Sequence, residues 1–260
     1  GNNRIVHLSA QGVVLETWGS FADIQQGAAP GGTFNEPWGV AVAPDGTVYV
    51  ADTWNHRIQH FTADGRFLGM FGLFGQAETP DAFWGPRDVA VDPQGRIFVA
   101  DTGNKRIAIF DSRGASEGSF GSGGYGPGQF SEPVGLAVGE DGTVYVADTW
   151  NMRIQGFRES EAGVFEQVAE WLIEGWYGQS LENKPYLAVG PGNVVCASDP
   201  EGFRILCFTA SGEFVQGWGS LGTGMDQFGL ANGLFFDRDG NLWVADSANN
   251  RLMRFPVELP

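Results

Sequence analysis

An acid, a hydroxyl, an amide and a base recur at one fixed spacing in this chain. Asp52-Thr53-Trp54-Asn55-His56-Arg57 is followed by counterparts starting at Asp101, Asp148 and Asp246, and by a degenerate one at Asp199. A carboxylate beside a hydroxyl could serve acid–base chemistry. An active site is needed once, however, and this pattern marks nearly every copy of a repeat. The structural reading therefore takes precedence. Asp52 and Arg57 flank one connection and pair across it, while Thr53 and Asn55 satisfy backbone groups of the loop.

The other reactive residue types are sparse. The three histidines are His7, His56 and His60, and no His-x-His or Cys-x-x-Cys spacing accompanies them. A metal site needs several convergent ligands, so these histidines read as solvated and no metal or other cofactor is expected. Asp45-Gly46, Asp141-Gly142 and Asp239-Gly240 lack the alternating carboxylates of a calcium loop and read as turns. Cys196 and Cys207 are placed symmetrically about a connection. Setting Asp199 opposite Arg204 also sets Cys196 opposite Cys207, close enough for a disulfide; two buried free thiols are the competing reading.

The elements that carry these residues follow from the repeat. Val-Tyr-Val-Ala-Asp52 returns as blocks ending at Asp101, Asp148, Asp199 and Asp246, about 47–51 residues apart. In residues 34–72 a short apolar run (Val40 to Val42) precedes the turn Pro44-Asp45-Gly46. Val48–Ala51, Ile58–Phe61 and Arg66–Phe71 then read as three further strands, with Ala63-Asp64-Gly65 as a second turn. Val164 to Ile173 aligns with a fourth strand and reads as a longer one. Four short strands per period, without sustained helical periodicity, describe the blade of an all-β propeller.

Composition narrows the partners. The formal charge of −16, from 31 acidic against 15 basic residues, argues against nucleic acid and against anionic lipid as partners. No apolar run reaches the length of a membrane span, so this segment is expected not to insert directly. Gly1-Asn2-Asn3-Arg4-Ile5 matches Gly103-Asn104-Lys105-Arg106-Ile107 inside a repeat, so residue 1 reads as the edge of a fragment, with any targeting segment upstream.

The run Pro-x-Gly-Val-Ala-Val, then Asp-Gly-x-Val-Tyr-Val-Ala-Asp-Thr-x-Asn-x-Arg-Ile, resembles the NHL repeat, most specifically over residues 34–157. Residues 181–219 depart from it, since Asp199-Pro200-Glu201-Gly202-Phe203-Arg204 lacks the Thr and the Asn. The resemblance implies one propeller domain over residues 1–260. Its repeats lie at about 34–72, 83–121, 130–173, 181–219 and 228–260, and residues 1–20 supply third and fourth strands of an incomplete blade. Six blades, the commonest number for this repeat, would leave three strands absent. Five blades, closed by Val13–Trp18 adding to the last copy, would leave one in surplus. Six is favoured and five is the alternative. The incomplete blade presents open edges that invite self-association. With Asn183-Lys184-Pro185-Tyr186-Leu187-Ala188-Val189, the pattern is also similar to propellers appended to bacterial membrane proteins of glycosyltransferase type, which implies an extracytoplasmic location.

Function is then sought where the copies differ. Loops entering first strands and loops joining second to third strands emerge on one face, the face on which a rigid scaffold carries its sites. The variable residue of Pro-x-Gly is Trp38, Arg87, Val134, Tyr186 and Asn232 in turn, and the one after Asp-Thr is Trp54, Gly103, Trp150, Glu201 and Ala248. Trp176 and Tyr177 join them from a blade-joining segment. Trp38, Trp54, Arg87, Trp150, Trp176, Tyr177, Tyr186 and Asn232 thus form the expected ligand-binding rim, with aromatic faces for sugar rings or peptide side chains and Arg87 for an anionic group. The expected function is a non-catalytic module that binds a glycan or a protein partner. A metal-dependent lyase or lactonase of propeller type is the alternative, for which only Asp88 and Asn232 are polar near the channel mouth; an oligomerisation scaffold is the second.

Overall fold

The computed structural model describes residues 2–161, 163–176 and 183–257. It forms two compact units, Gly1–Gly121 and Ser122–Pro260, and the fold is an all-β propeller. In the first unit, β1 (Ile5–Leu8) and β2 (Val14–Trp18) make a two-stranded sheet. Blade I follows, with strands Pro37–Val42, Val48–Asp52, Arg57–Phe61 and Phe67–Phe71. Blade II has Asp88–Val91, Ile97–Asp101, Arg106–Phe110 and Ser116–Phe120. The second unit holds blade III, from Pro133–Val138 to Val164–Leu172, and blade IV, from Leu187–Val189 to Phe214–Trp218. Blade V has three strands, Ala231–Phe236, Asn241–Asp246 and Arg251–Pro256.

The blade count corrects the favoured six to the alternative five. A blade needs its own first and second strands to reach the core. Among the described residues there are five such pairs, and the remaining hairpin, β1 with β2, has third- and fourth-strand character only. Its Ile5–Trp18 pairing repeats Ile58–Phe71, Ile107–Phe120, Ile154–Trp171 and Ile205–Trp218.

Blades bury their faces against each other. Tyr49, Ala51 and Ile58 of blade I meet Val89, Val99, Ala108 and Phe110 of blade II. Tyr145, Ala147 and Ile154 of blade III meet Leu187, Val195 and Ala197 of blade IV. Cys196, Ile205 and Cys207 of blade IV meet Phe236, Leu242 and Val244 of blade V. Each large apolar side chain so buried contributes about 1.5–3 kcal/mol. Gly135 is a requirement of that packing. A Cβ there would sit 2.7 Å from the Tyr186 Cα, so only glycine lets neighbouring first strands approach. In the third-to-fourth-strand turns, Gly65 (φ +81°), Gly114 (φ +80°) and Gly212 (φ +90°) lie against the rings of Trp18, Phe71 and Trp171 of the preceding sheet. No helix among the described residues is long and apolar enough to cross a membrane.

Candidate binding face

The recurrent polar motif builds the platform under the loops. Asp52, Asp101, Asp148, Asp199 and Asp246 each end a second strand and are buried. Each pairs with the arginine opening the third strand, Arg57, Arg106, Arg153, Arg204 or Arg251, at 2.7–2.9 Å. The carboxylate also accepts the backbone N–H of the segment entering its blade: Asn35 at 2.7 Å, Trp84 at 2.9 Å, Ser131 at 2.8 Å and Gly229 at 2.8 Å, for Asp52, Asp101, Asp148 and Asp246 respectively. Asn55, Asn104, Asn151 and Asn249 donate to the same carboxylates and to carbonyls of the blade-joining loops. Arg57 spends the rest of its fork on the carbonyls of Ala29, Pro30 and Thr33. The acid, amide and arginine of the motif are thereby spent on one another and on loop backbone, which is a framing role. Burial pushes the Asp52 and Asp101 carboxyls above their ordinary value. At Asp246 burial also pushes upward, but Asn249, the Leu230 N–H, Arg251 and the Gly229 N–H outweigh it and hold the carboxyl lower.

Thr53–Asn55 forms one turn of 3-10 helix, and His56 follows it in the left-handed region (φ 55°). Lys105, Met152 and Asn250 do the same in blades II, III and V. The turn lifts its central residue toward solvent, so Trp54 and Trp150 are exposed.

The first unit assembles Trp38, Trp54 and Arg87. The Arg87 guanidinium lies 4.0 Å over the Trp38 ring and 5.4 Å from that of Trp54. Arg87 is only 5% exposed, so it is an internal cation stacked between indoles rather than a surface clamp for an anion. The Trp54 indole N–H donates to Glu36 at 3.0 Å and fixes the ring. His56 is buried below, its ring 4.7 Å from Phe74 and edge-on to Trp54. Its Nδ1 accepts the Gly85 N–H at 3.0 Å, so the other nitrogen carries the proton. Burial pushes the His56 imidazole below its ordinary value, against an upward pull from Asp23. Neighbouring Trp84 is 42% exposed, and Phe74 is exposed as well. Asp88 is buried and accepts the Val89 N–H.

The second unit makes a separate cluster. Trp150 is 57% exposed and stands over Lys184, whose ammonium is 5.5 Å from the ring and 2.8 Å from Glu132. Lys184 is fully buried, so that pair braces the loops of blades III and IV. Trp176 and Tyr186 are buried and present no face to a ligand; Asn232 is half-buried. Tyr177 lies outside the described residues. Cys196 and Cys207 are directly opposed, with Cα atoms 4.0 Å apart, and form a disulfide. His60 stacks on Tyr49 at 4.2 Å, and among the described residues no three His, Cys, Asp or Glu side chains converge to hold a metal.

The variable positions of the repeat did not reveal Trp84, Phe74, Phe21 and Tyr125, all exposed. They lie in the blade-joining segments, where short parallel pairs such as Leu73–Phe74 with Ala82–Phe83 hold them outward. For Phe21 and Phe74 the signal was present in the sequence as an apolar residue two positions after the glycine that ends the fourth strand, in Gly19-Ser20-Phe21 and Gly72-Leu73-Phe74.

Comparison with known proteins agrees with this fold. The NHL repeat profile matches residues 34–61, 83–110 and 130–157. Protein brain tumor of Drosophila melanogaster is 50% identical over 48 residues, which are 18% of this chain and 5% of that protein. Among solved structures, a streptogramin B lyase superposes with a TM-score of 0.63 at 17% identity, covering 99% of this chain and 74% of the lyase. A protein of unknown function from Bacteroides caccae gives a TM-score of 0.65 at 13% identity, covering 95% and 80%. At such identities the likeness concerns the fold.

Proposed function

We propose that this chain is a binding module, without catalysis of its own, whose loop face in the first unit engages a protein partner. The observation that carries the reading is the exposed set Trp54, Trp84 and Phe74, held rigid by the Glu36 hydrogen bond, the buried Arg87 and the buried His56. Exposed, preorganised aromatic residues are the kind that anchor interfaces at small entropic cost. The charge of −16 favours a basic partner segment. An extracytoplasmic setting, as a domain of a bacterial membrane protein of glycosyltransferase type, belongs to the same proposal and draws support from the Cys196–Cys207 disulfide.

The test uses arrays of glycans and of arginine- and lysine-containing peptides, probed with the wild type and with a Trp54→Ala, Trp84→Ala double variant. Peptide binding that the variant loses at unchanged melting temperature supports the reading. Glycan binding alone would move the module to the carbohydrate class. Metal-dependent turnover of a lactone or a cyclic depsipeptide would replace it with the lyase or lactonase alternative.

A further inference from the structure

The three exposed side chains of the binding face, Trp54, Phe74 and Trp84, converge on one buried histidine. His56 closes the Thr53–Asn55 turn, where the other blades carry Lys105, Met152, Phe203 and Asn250. Blade I alone therefore has at this position a group that titrates near neutral pH. The imidazole lies 4.7 Å from the Phe74 ring and 6.5 Å from that of Trp54, edge-on. Its Nδ1 accepts the Gly85 N–H at 3.0 Å, and Gly85 directly follows Trp84. Gly85 holds φ +59°, and a Cβ there would come 3.6 Å from the Trp54 ring. Trp84 is tied on its other side, where its N–H donates to Asp101 at 2.9 Å and its carbonyl accepts the Gly103 N–H at 2.9 Å. One neutral ring thus touches two of the exposed side chains and holds the backbone beside the third.

We propose that His56 gates this face by pH, its neutral ring holding the three aromatic side chains in their binding arrangement and its protonation releasing them. The gate rests on the protein-binding role proposed for the face. An imidazolium donates from both nitrogens. A proton on Nδ1 would meet the Gly85 N–H donor to donor, so one of the two must turn away. Turning the backbone at Gly85 moves Trp84; turning the ring breaks its packing on Phe74 and Trp54. The charged groups around the site come from four segments. Asp23 favours the imidazolium, from a loop that Asn55 ties down through the Ile24 N–H and the Ala22 carbonyl. Glu78 lies against Gly75, beside Phe74, and Glu36 and Arg87 flank Trp54. Burial of the imidazole outweighs Asp23 and favours the neutral ring, so release belongs below the ordinary histidine value of 6.5.

Two-dimensional NMR of the full chain between about pH 7.5 and about pH 5 tests the gate without a ligand. The Gly85 amide and the Trp54 and Trp84 indole N–H signals should shift together with the His56 imidazole, at one midpoint below 6.5. Indole signals that stay in place while His56 titrates overturn the proposal. An N-acetylated, arginine-rich peptide without histidine then tests the consequence for binding. Its affinity for the wild type should fall roughly threefold to tenfold over the same interval, as the competent fraction shrinks. For His56→Asn the ratio of affinities at the two ends should stay near one, although His7, His60 and every carboxylate remain. An equal fall in both proteins overturns the gate, as does wild-type binding that ignores pH. Coupled signals with no peptide bound at either pH would support the gate and remove the binding role, so the two failures are read separately.

Discussion

At the residue scale, one histidine reports on the binding face. His56 is buried and neutral, with its Nδ1 receiving the Gly85 N–H and its ring between Trp54 and Phe74. Burial depresses its pKa from 6.5. The sign follows from linkage: the fold prefers the neutral form. The contribution of His56 is therefore complete above the unfolded value of 6.5 and is lost as pH falls through the lower folded value. Thermal stability should decline between about pH 7 and about pH 5 in the wild type. A His56→Asn variant, which tolerates the left-handed backbone, should show a shallower slope, the remainder belonging to His60, which burial also pushes below its ordinary value. Equal slopes in the two proteins would show that His56 does not carry the effect. The aspartates of the repeat behave differently. Asp52 and Arg57 hold a loop in place through bonds that have no room for a substrate.

At the scale of the element, the blade most altered in sequence is also covalently closed. Blade IV has lost the Thr and Asn of the motif, and its second and third strands carry the Cys196–Cys207 bridge. The two cysteines are 11 residues apart, and closing a loop of that order stabilises a domain by about 2–4 kcal/mol through the unfolded chain. A Cys196→Ser, Cys207→Ser variant should show a correspondingly lower urea midpoint, and the wild type should fall to the same value under reductant. A wild type indifferent to reductant would mean that the bridge contributes nothing to stability. The substituted connection Pro200-Glu201-Gly202 still returns Arg204 to Asp199 at 2.7 Å, so the strand register survives loss of the motif's smaller residues.

At the scale of the whole molecule, charge is the property that reaches beyond contact distance. A chain of net charge −16 should attract a basic partner from a distance and do so less well in salt. With an arginine-rich peptide as probe, the association rate should fall roughly tenfold between about 0.05 M and about 0.5 M salt, while dissociation changes less. A salt-independent association rate would remove charge from the account of recognition.

The residues alone were enough to find the repeat, its four strands, its turns and the register between the second and third strands of the fourth copy. The alignment that pairs Asp199 with Arg204 and Cys196 with Cys207 holds strand by strand. These features are local: they depend on alternation, turn chemistry and partners a few residues away. The number of blades and the accessible part of the rim were decided by tertiary structure. Arg87, Trp176 and Tyr186 occupy variable loop positions just as Trp54 and Trp150 do, yet the first three are buried. Whether a ring meets solvent depends on what a neighbouring blade sets over it, and in the sequence that neighbour lies about 50 residues away.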